Sequence, residues 1–577
     1  MAGGRRPVTV GDLAIAGSCG FARSETGGGC RLLAFDGRID DPDRLSADLG
    51  LESVCPESAG PNPDATDDAG LVLAAFRQWG GDALPRLRGG FALACWNNAA
   101  QQLSLACDPL GQHALFYARV DGRLAFATGL RPLLGFPGVA RDLDETYLAC
   151  FLSDILPDPE ATFYTAIRRV PAACEAVFAR DGSMRLREYW RPDWERRIRH
   201  RRDETYVEEA RALLDRAVRR QLRGLNPVVC HLSGGLDSSG VAATAARLRE
   251  AAPVHALTAA PADGAPRLEH RNAIADERNL AGAIARLHPN MAWEAISAPG
   301  LHPLDEDPVR LFLPLGMPLR AVMNIGWFAP LHERARALGA KAVLCGTMGN
   351  LTLSWGGLSG LAGMARRGDW ARLWREARAL GSKKGISPWA ILRRYGVKPL
   401  LPPRLQAWVD DHRGVARPLT ERYSAINPEF ARDTAIRERR LEMGNGYPAD
   451  STDMRRRWLR QLQWSAVTPG ALRETFGVEQ RDPTADLDLL EFCFAVPDEQ
   501  YIRNGTTRWL ARRVLADRLP AEVVNETRHG YQCAEFFHRM TLRRDRIVEG
   551  VDALARSPLA SRVLDVARLK RLAADWP

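Results

Sequence analysis

Pro227-Val-Val-Cys-His-Leu-Ser-Gly-Gly-Leu-Asp-Ser-Ser239 decides the fold of this chain. Pro227 to Leu232 is a short, largely apolar run of the kind that forms a buried strand. Gly240 to Leu248 reads as a helix, with Val241, Ala245 and Leu248 at helical spacing. Between them, Ser233 to Ser239 form a tight loop. Strand, glycine loop and helix together aim backbone N–H groups and a positive dipole end at an anion, above all a phosphate. Gly234 and Gly235 let the backbone approach that anion with no Cβ in the way. Ser233, Ser238 and Ser239 add hydroxyl donors. Asp237 would be repelled by bare phosphates, so its position suits Mg²⁺ bridging them. No lysine follows at the spacing G-x-x-x-x-G-K-[ST], which excludes the P-loop of kinases and GTPases.

Working outward, the second half alternates strands and helices. A helix over 204–222 has Val207, Ala210, Leu214, Ala217 and Val218 on one face. Val254 to Thr258 reads as a strand, Asp276 to Arg286 as a helix, and Lys341 to Gly346 as another strand. That order predicts a parallel sheet with helices on both faces, an α/β domain. Ligands bind such sheets at the carboxyl ends of the strands, where Ser233, Ala259 and Gly346 fall. From about Leu358 to Trp464 the chain is helical and rich in Trp and Arg. The first half differs. Leu32 to Phe35, Phe91 to Trp96, Leu103 to Cys107, Ala114 to Ala118 and Leu124 to Ala127 are strand-like, with one helix over 70–79. This predicts a layered α+β domain over 1–190, a basic linker over 191–203, and the α/β domain over 204–577.

Composition narrows the class. The chain has 577 residues, 46% hydrophobic and 26% charged, as ordinary globular proteins do. No apolar run approaches the roughly 20 residues that span a bilayer, and no signal-like core follows Met1. The eleven cysteines are scattered singly, so a zinc site is not expected, and a reducing cytoplasm is. The net charge of +9 comes with no RNA-binding or helix-turn-helix pattern. It reads as linker, solvated face, or attraction for a nucleotide and an acidic peptide, with no nucleic-acid partner.

Ser233-Gly-Gly-Leu-Asp-Ser-Ser239 resembles the pyrophosphate loop of enzymes that cut ATP between its α and β phosphates. Over almost its whole length the chain resembles the class B asparagine synthetase superfamily. In the first half, Asp67-Asp-Ala-Gly-Leu-Val-Leu73, Leu87-Arg-Gly-Gly-Phe-Ala-Leu-Ala-Cys-Trp96 and Cys107-Asp-Pro-Leu-Gly-Gln-His-Ala-Leu-Phe-Tyr117 are similar to the glutaminase domain, which implies Ntn-type layered sheets. In the second, the serine loop, Val343-Leu-Cys-Gly346 and Val478-Glu-Gln-Arg-Asp-Pro483 imply a synthetase domain of the ATP pyrophosphatase (adenine nucleotide α-hydrolase-like) type. Asparagine synthetases release ammonia with an N-terminal cysteine; here Ala2 follows Met1, and Cys19 is internal. The family's glutamine-binding Asn-Gly-Glu is matched by Asp36-Gly37-Arg38, which puts a cation where a carboxylate holds the substrate amine. The resemblance therefore implies a first domain that braces the second without glutaminase activity.

β-Lactam synthetases and the macrolactam cyclases of lasso-peptide biosynthesis share that loss. At Gly346-Thr-Met-Gly-Asn-Leu-Thr-Leu-Ser-Trp355, synthetases usually carry Gly-Glu-Gly-x-Asp-Glu, and β-lactam synthetases a Tyr after the first Gly. Thr347, Asn350, Glu479-Gln-Arg-Asp-Pro-Thr-Ala-Asp486 and His529-Gly-Tyr-Gln532 look instead like the lasso cyclases.

That resemblance implies an enzyme that takes ATP and Mg²⁺ and adenylates an Asp or Glu side chain of a ribosomal precursor peptide. The peptide's own N-terminal amine then closes a ring. A leader peptidase and a leader-recognition protein are the implied partners. Adenine is expected against Leu232, Ala259, Cys345 and Gly346, and the phosphates along Ser233, Gly234, Gly235, Leu236, Ser238 and Ser239. Mg²⁺ is expected on Asp237 and Asn350, with Glu277 or Asp482 assisting. Arg528 aligns with a family lysine that stabilises negative charge; the other reading is a surface ion pair. Asp482 is either a site residue or the ion-pair partner of Arg481. Thr347, Asn350, Ser354 and Gln532 are expected to meet the peptide. Trp355 reads as pocket or core, and His529 as base or structural. The alternatives are a small-molecule amide ligase, such as a β-lactam synthetase or an asparagine synthetase-like enzyme, and an inactive scaffold.

Overall fold

The computed structural model describes residues 8–10, 13–15, 20–26, 29–51, 68–264, 273–297, 315–318, 320, 324–412, 424–442, 448–531 and 534–576. Ala2, Cys19, Asp67 and Gln532 lie outside them.

The first half is built from β1 (Gly20–Thr26), β2 (Gly29–Gly37), α1 (Asp68–Trp79), β3 (Phe91–Asn97), β4 (Gln102–Cys107), β5 (Leu115–Val120), β6 (Arg123–Ala127), β7 (Ile167–Val170), β8 (Cys174–Ala179) and β9 (Met184–Glu188). Six strands form an antiparallel sheet in the order β9-β8-β4-β3-β2-β1, and three a second sheet, β6-β5-β7. The period-two alternation of β2 sorts its side chains between two layers. Leu33 and Phe35 pack with Val72, Leu73 and Phe76 of α1. Leu32 and Ala34 pack with Leu115, Tyr117 and Val170 of the second sheet. The layers are helix, sheet, sheet.

Residues 189–202 carry no helix or strand, yet they are not a free tether. Trp194 stacks on Phe494 at 5.0 Å, and the Ile198 N–H donates to the Ala495 carbonyl at 3.0 Å.

The second half opens with α2 (Asp203–Leu222), whose buried face includes Val207, Ala210, Leu214, Ala217 and Val218. Then come β10 (Val228–His231), α3 (Leu236–Arg249), β11 (Val254–Ala259), α4 (Arg278–Leu287), β12 (Met291–Ile296), α5 (Ile325–Ala337) and β13 (Ala342–Leu344). A helical stretch follows that includes α6 (Trp370–Lys384), α7 (Pro388–Ile391) and α8 (Val467–Phe476), and β14 (Glu479–Arg481) completes the sheet. The five strands run in the order β12-β11-β10-β13-β14, all parallel. Both faces are covered, as apolar parallel strands require. Val228, Cys230 and Leu344 pack towards α2 and α3, while Val229, Leu257 and Val343 pack against Leu331 and Ala335 of α5. From β10 the chain winds outward to β11 and β12, then returns to the other side of β10 as β13. The crevice between β10 and β13 is therefore the topological switch point, where such sheets bind ligands.

Two differences from the sequence reading bear on the site. Helix α3 begins at Leu236, not Gly240, so Asp237, Ser238 and Ser239 occupy its first turn and the true loop is only Ser233–Gly235. Small polar residues are tolerated where the first N–H groups lack intrahelical partners. The strands β12 and β14 were not expected as strands. Glu479-Gln-Arg481 has no apolar signature, because its side chains serve ion pairs rather than a core.

Candidate active site

The loop after β10 is held by its own hydroxyls. Ser233 Oγ accepts from the Gly235 N–H at 3.0 Å and lies 2.8 Å from Ser238 Oγ, and Ser239 Oγ donates to the Ser233 carbonyl at 2.6 Å. Gly235 is the N-cap of α3 and has no side chain to satisfy the first N–H groups. The helix therefore presents unpaired donors and its positive end to the crevice. One N–H already holds an anion: Gly234 donates to Glu277 Oε1 at 3.0 Å. Glu277 is the N-cap residue of α4, and burial raises its pKa while the Gly234 N–H pulls it back. Close approach also explains a glycine in the segment that lies over it. A Cβ on Gly530 would sit 2.5 Å from Glu277 Oε1. Gly530 is held there because His529 and Gly530 pair, as a short parallel strand, with Ala273 and Ile274.

Asp237 lies at the base of the crevice. Its Oδ1 accepts from Ser354 Oγ at 2.5 Å. Burial raises its pKa, with Arg508 and Ser354 pulling it down. The segment after β13 passes directly over it: a Cβ on Gly349 would fall 2.1 Å from Asp237 Oδ1, so only glycine fits. Asn350 Oδ1 accepts from the Arg508 guanidinium at 3.1 Å. Asp482, just past β14, accepts from the Met348 N–H at 2.7 Å and from the Thr484 N–H and hydroxyl at 2.9 and 2.5 Å. Burial pushes its pKa up to about 6, with the charge of Asp237 adding to the shift. It is not the partner of Arg481, which bonds Glu479 and the carbonyls of Gln221 and Arg223.

These groups line one cavity of about 770 Å³, within the size range of small-molecule sites. Ser233, Gly234, Gly235, Asp237 and Ser238 form its phosphate-ready end, with Glu277, Asp482, Asn350 and Thr347 around them. Leu232, Ala259, Cys345 and Gly346 form the adjoining wall, and His231, Trp327 and Phe328 an aromatic flank. Arg528 also lines the cavity, but its guanidinium is paired with Glu526 at 2.6 Å. As it stands it is an ion pair, and it must leave Glu526 before it can serve a substrate.

Several expected residues are displaced from direct contact. Leu236 is 3% exposed and packs in the core; Ser239 is fully buried. Neither lines the cavity. The Leu232 N–H bonds the Leu257 carbonyl at 2.9 Å, and its own carbonyl accepts from Thr258 Oγ1 at 2.7 Å. Ser354 bonds Asp237 and does not line the cavity. Trp355 is core: Arg455 stacks on its ring at 4.9 Å and Trp458 meets it edge-on at 5.7 Å. Arg508 went unnoticed in the sequence, where Thr507-Arg508-Trp509 gives no signal. Its left-handed backbone, φ +57°, turns the chain at the start of a helix and brings it to Asn350.

The cavity continues to the first half of the chain, where Asp36, Gln112, His113, Phe116 and Leu130 line it. Here the two halves are joined by charge. Arg473 of α8 forks onto Asp36 at 3.0 and 2.8 Å. His113 stands between Asp36 (3.8 Å) and Glu479 (3.9 Å). Burial opposes its protonation, but the two carboxylates outweigh burial and raise its pKa to about 9. Asp36 and Glu479 are held well below the usual carboxylate range, against burial, by His113 with Arg473 and by Arg38 with His113. Arg38 is buried, bonds Glu479 and Gln221 at 2.6 Å each, and pairs with Asp40 at 2.9 Å. The Asp36-Gly37-Arg38 turn thus faces the second half of the chain, not a separate small-molecule pocket.

Among the described residues no cluster of three or more His, Cys, Asp or Glu forms a ready-made metal cage. Mg²⁺ seldom uses one; it binds through one or two carboxylates and the substrate's phosphates. Asp237 fits that role. Asn350 fits less well, because its amide oxygen already accepts from Arg508.

A doubly wound parallel sheet with a glycine loop at its switch point is the architecture in which α/β proteins bind phosphate-bearing ligands. Residues 209–576 match the asparagine synthase family and residues 29–190 the glutamine amidotransferase domain, and the chain belongs to the asparagine synthase family. It is 33% identical over 190 residues to a putative glutamine-hydrolyzing asparagine synthetase of Mycobacterium tuberculosis (strain ATCC 25618 / H37Rv), covering 32% of this chain and 29% of that one. It is 31% identical over 184 residues to the glutamine-hydrolyzing asparagine synthetase 3 of Bacillus subtilis (strain 168), covering 32% and 30%. It is 31% identical over 186 residues to amidase chyE of Penicillium rubens, covering 32% and 27%. The matches thus span about three-tenths of these relatives' lengths. A solved structure of the allosteric regulatory enzyme of purine biosynthesis aligns with a TM-score of 0.21 at 12% identity, covering 49% of this chain and 63% of that one.

Proposed function

We propose that this chain is an ATP-dependent carbon–nitrogen ligase that closes a macrolactam in a ribosomal peptide. The observation that carries the ligase reading is the start of α3, whose N-cap Gly235 supplies no side-chain partner for the first N–H groups of the helix, facing the same cavity as Asp237. The triphosphate lies along Ser233–Ser238. Mg²⁺ held by Asp237 supplies charge neutralisation to the phosphates. A side-chain carboxylate oxygen of the peptide attacks the α-phosphorus; the α–β anhydride bond breaks and pyrophosphate leaves. The peptide's N-terminal amine then attacks the acyl carbon, the bond to AMP breaks, and the amine's proton passes to solvent. A free carboxylate does not acylate amines at useful rates, so activation is the chemical need, and holding the amine beside the acyl carbon supplies effective molarity. Arg508 and an unpaired Arg528 stabilise the negative charge that develops.

Two features support an internal amine over ammonia from glutamine. The Asp36-Gly37-Arg38 turn is committed to Arg473, Glu479 and Gln221. Thr347 and Asn350 stand where the family's synthetases usually carry acids. We therefore infer that the first domain lacks glutaminase activity. A leader peptidase and a leader-recognition protein are the partners this reading needs, in a cytoplasmic setting. One observation favours the asparagine synthetase-like alternative: the cavity reaches from the serine loop to Gln112 and His113 of the first domain without a break. The test is mass spectrometry of a leader-cleaved peptide with enzyme and Mg-ATP. Loss of one water with release of AMP is the expected result. Asparagine formed from aspartate and glutamine, with the peptide unchanged, would establish the alternative.

A further inference from the structure

Away from the cavity, the helical stretch after β13 carries a surface that the ligase reading does not use. Trp370 and Trp374 lie one turn apart on α6 and are 54% and 38% exposed; Trp389 of α7 is 67% exposed, and Ile386 between them 44%. The Trp374 and Trp389 rings meet at 4.8 Å, so these side chains form one patch. The adjoining stripe of α6 is buried through Leu373, Ala377 and Leu380, which anchors the helix to the body of the protein. None of these residues lines the cavity. Soluble proteins rarely expose so much contiguous aromatic surface without a partner.

The charge around the patch is one-sided. Residues 370–398 contain eight Arg and Lys and a single acid, Glu376. That acid is buried and accepts the N–H groups of Asn504 and Gly505 at 2.9 and 2.8 Å. Arg375, Arg378, Lys384 and Arg393 are exposed. A second copy of this surface would be repelled by like charge, which excludes self-association through it. The occupant must be apolar at its centre and anionic around it.

We propose that this patch docks the protein on an anionic phospholipid bilayer. Indole rings favour the headgroup level, where an apolar body and a polar N–H are both satisfied. Flanking Arg and Lys extend their charge to lipid phosphates while their stems stay with the apolar layer. Combined aromatic and cationic groups on a helical face are the chemistry of interfacial binding. No residue of α6 or α7 lines the cavity.

The test is co-sedimentation of the full chain with unilamellar vesicles of phosphatidylcholine, with and without phosphatidylglycerol, using brominated lipid as a tryptophan quencher. The chain is expected to pellet with the anionic vesicles, to stay in solution with the neutral ones, and to be quenched by brominated lipid. Arg375→Ala with Arg378→Ala is expected to weaken binding about thirtyfold, since each cation near an anionic surface contributes about fivefold. Trp370→Ser with Trp374→Ser and Trp389→Ser is expected to abolish quenching, with an unchanged melting temperature and unchanged AMP release. Wild-type protein that ignores anionic vesicles overturns the proposal, as does a triple variant that pellets and is quenched like the wild type. Binding of polyglutamate through the patch with no binding of vesicles also overturns it, and makes the occupant an acidic polypeptide.

Discussion

Gly349→Ala is the sharpest test of the site, because it adds one methyl group and nothing else. The new Cβ would lie 2.1 Å from Asp237 Oδ1 and 2.5 Å from its Cγ, where ordinary contact begins at 3.4 Å. The carboxylate must therefore retreat by about 1.3 Å, which breaks the 2.5 Å bond from Ser354. Asp237 cannot swing freely, since it sits in the first turn of α3 beside the packed hydroxyls of Ser233 and Ser238. A displacement of about 1 Å at a positioning group costs roughly a hundredfold in rate. Overpacking of this kind costs about 1–3 kcal/mol in stability, so the variant should fold. Gly550→Ala is the control: its Cβ meets nothing within 4 Å on an exposed helix, where Ala is the better helix former. AMP release at saturating ATP, with a thermal melt of each protein, is the assay. A folded Gly349→Ala enzyme that keeps more than about a third of wild-type turnover would refute the placement of Asp237 at the reacting phosphates.

Three further outcomes follow from the same geometry. His113→Gln should change the pH dependence of stability: a pKa raised from 6.5 to about 9 stabilises the folded chain by about 3 kcal/mol below pH 6.5, and that contribution is lost as pH rises through 9. Melting temperature should thus fall between pH 6.5 and 9 in the wild type and stay flatter in the variant; parallel curves would contradict the bridging role. Arg473→Ala leaves Asp36 partly buried without its guanidinium and should cost about 2 kcal/mol in urea denaturation, and an unchanged midpoint would show the pair to be idle. Arg508→Ala removes a charge-assisted hydrogen bond to Asn350 and a cation near Asp237, and should lower kcat and kcat/KM for ATP together, about tenfold or more, with the melting temperature unchanged.

Much of the scaffold was legible because its residues obey one period each. The buried face of α2 and the alternation in β2 follow from helical and strand spacing alone. The serine loop was legible because strand, glycines and hydroxyls serve one geometric end. The start of α3 was misplaced because Asp237, Ser238 and Ser239 look like loop residues, while the first turn of a helix accepts them. Strand β14 was invisible because Glu479 and Arg481 spend their side chains on Arg38, His113 and each other. Arg508 could not be found by motif, because it acts through Asn350, far away in sequence; Ser354 was found by motif, but its bond to Asp237 was not legible there. Trp355, open to either reading, proved to be core because Arg455 needs its ring as much as the ring needs burial.

The charges that join the halves have a consequence for how this sequence can change. Asp36, Arg38 and His113 come from one half, and Arg473, Glu479 and Gln221 from the other. A graft that exchanged either half for a relative's would strand ions in a greasy seam. Mutations here should be tolerated in matched sets, so that drift on one side is answered on the other and the two units travel through evolution as a single heritable block.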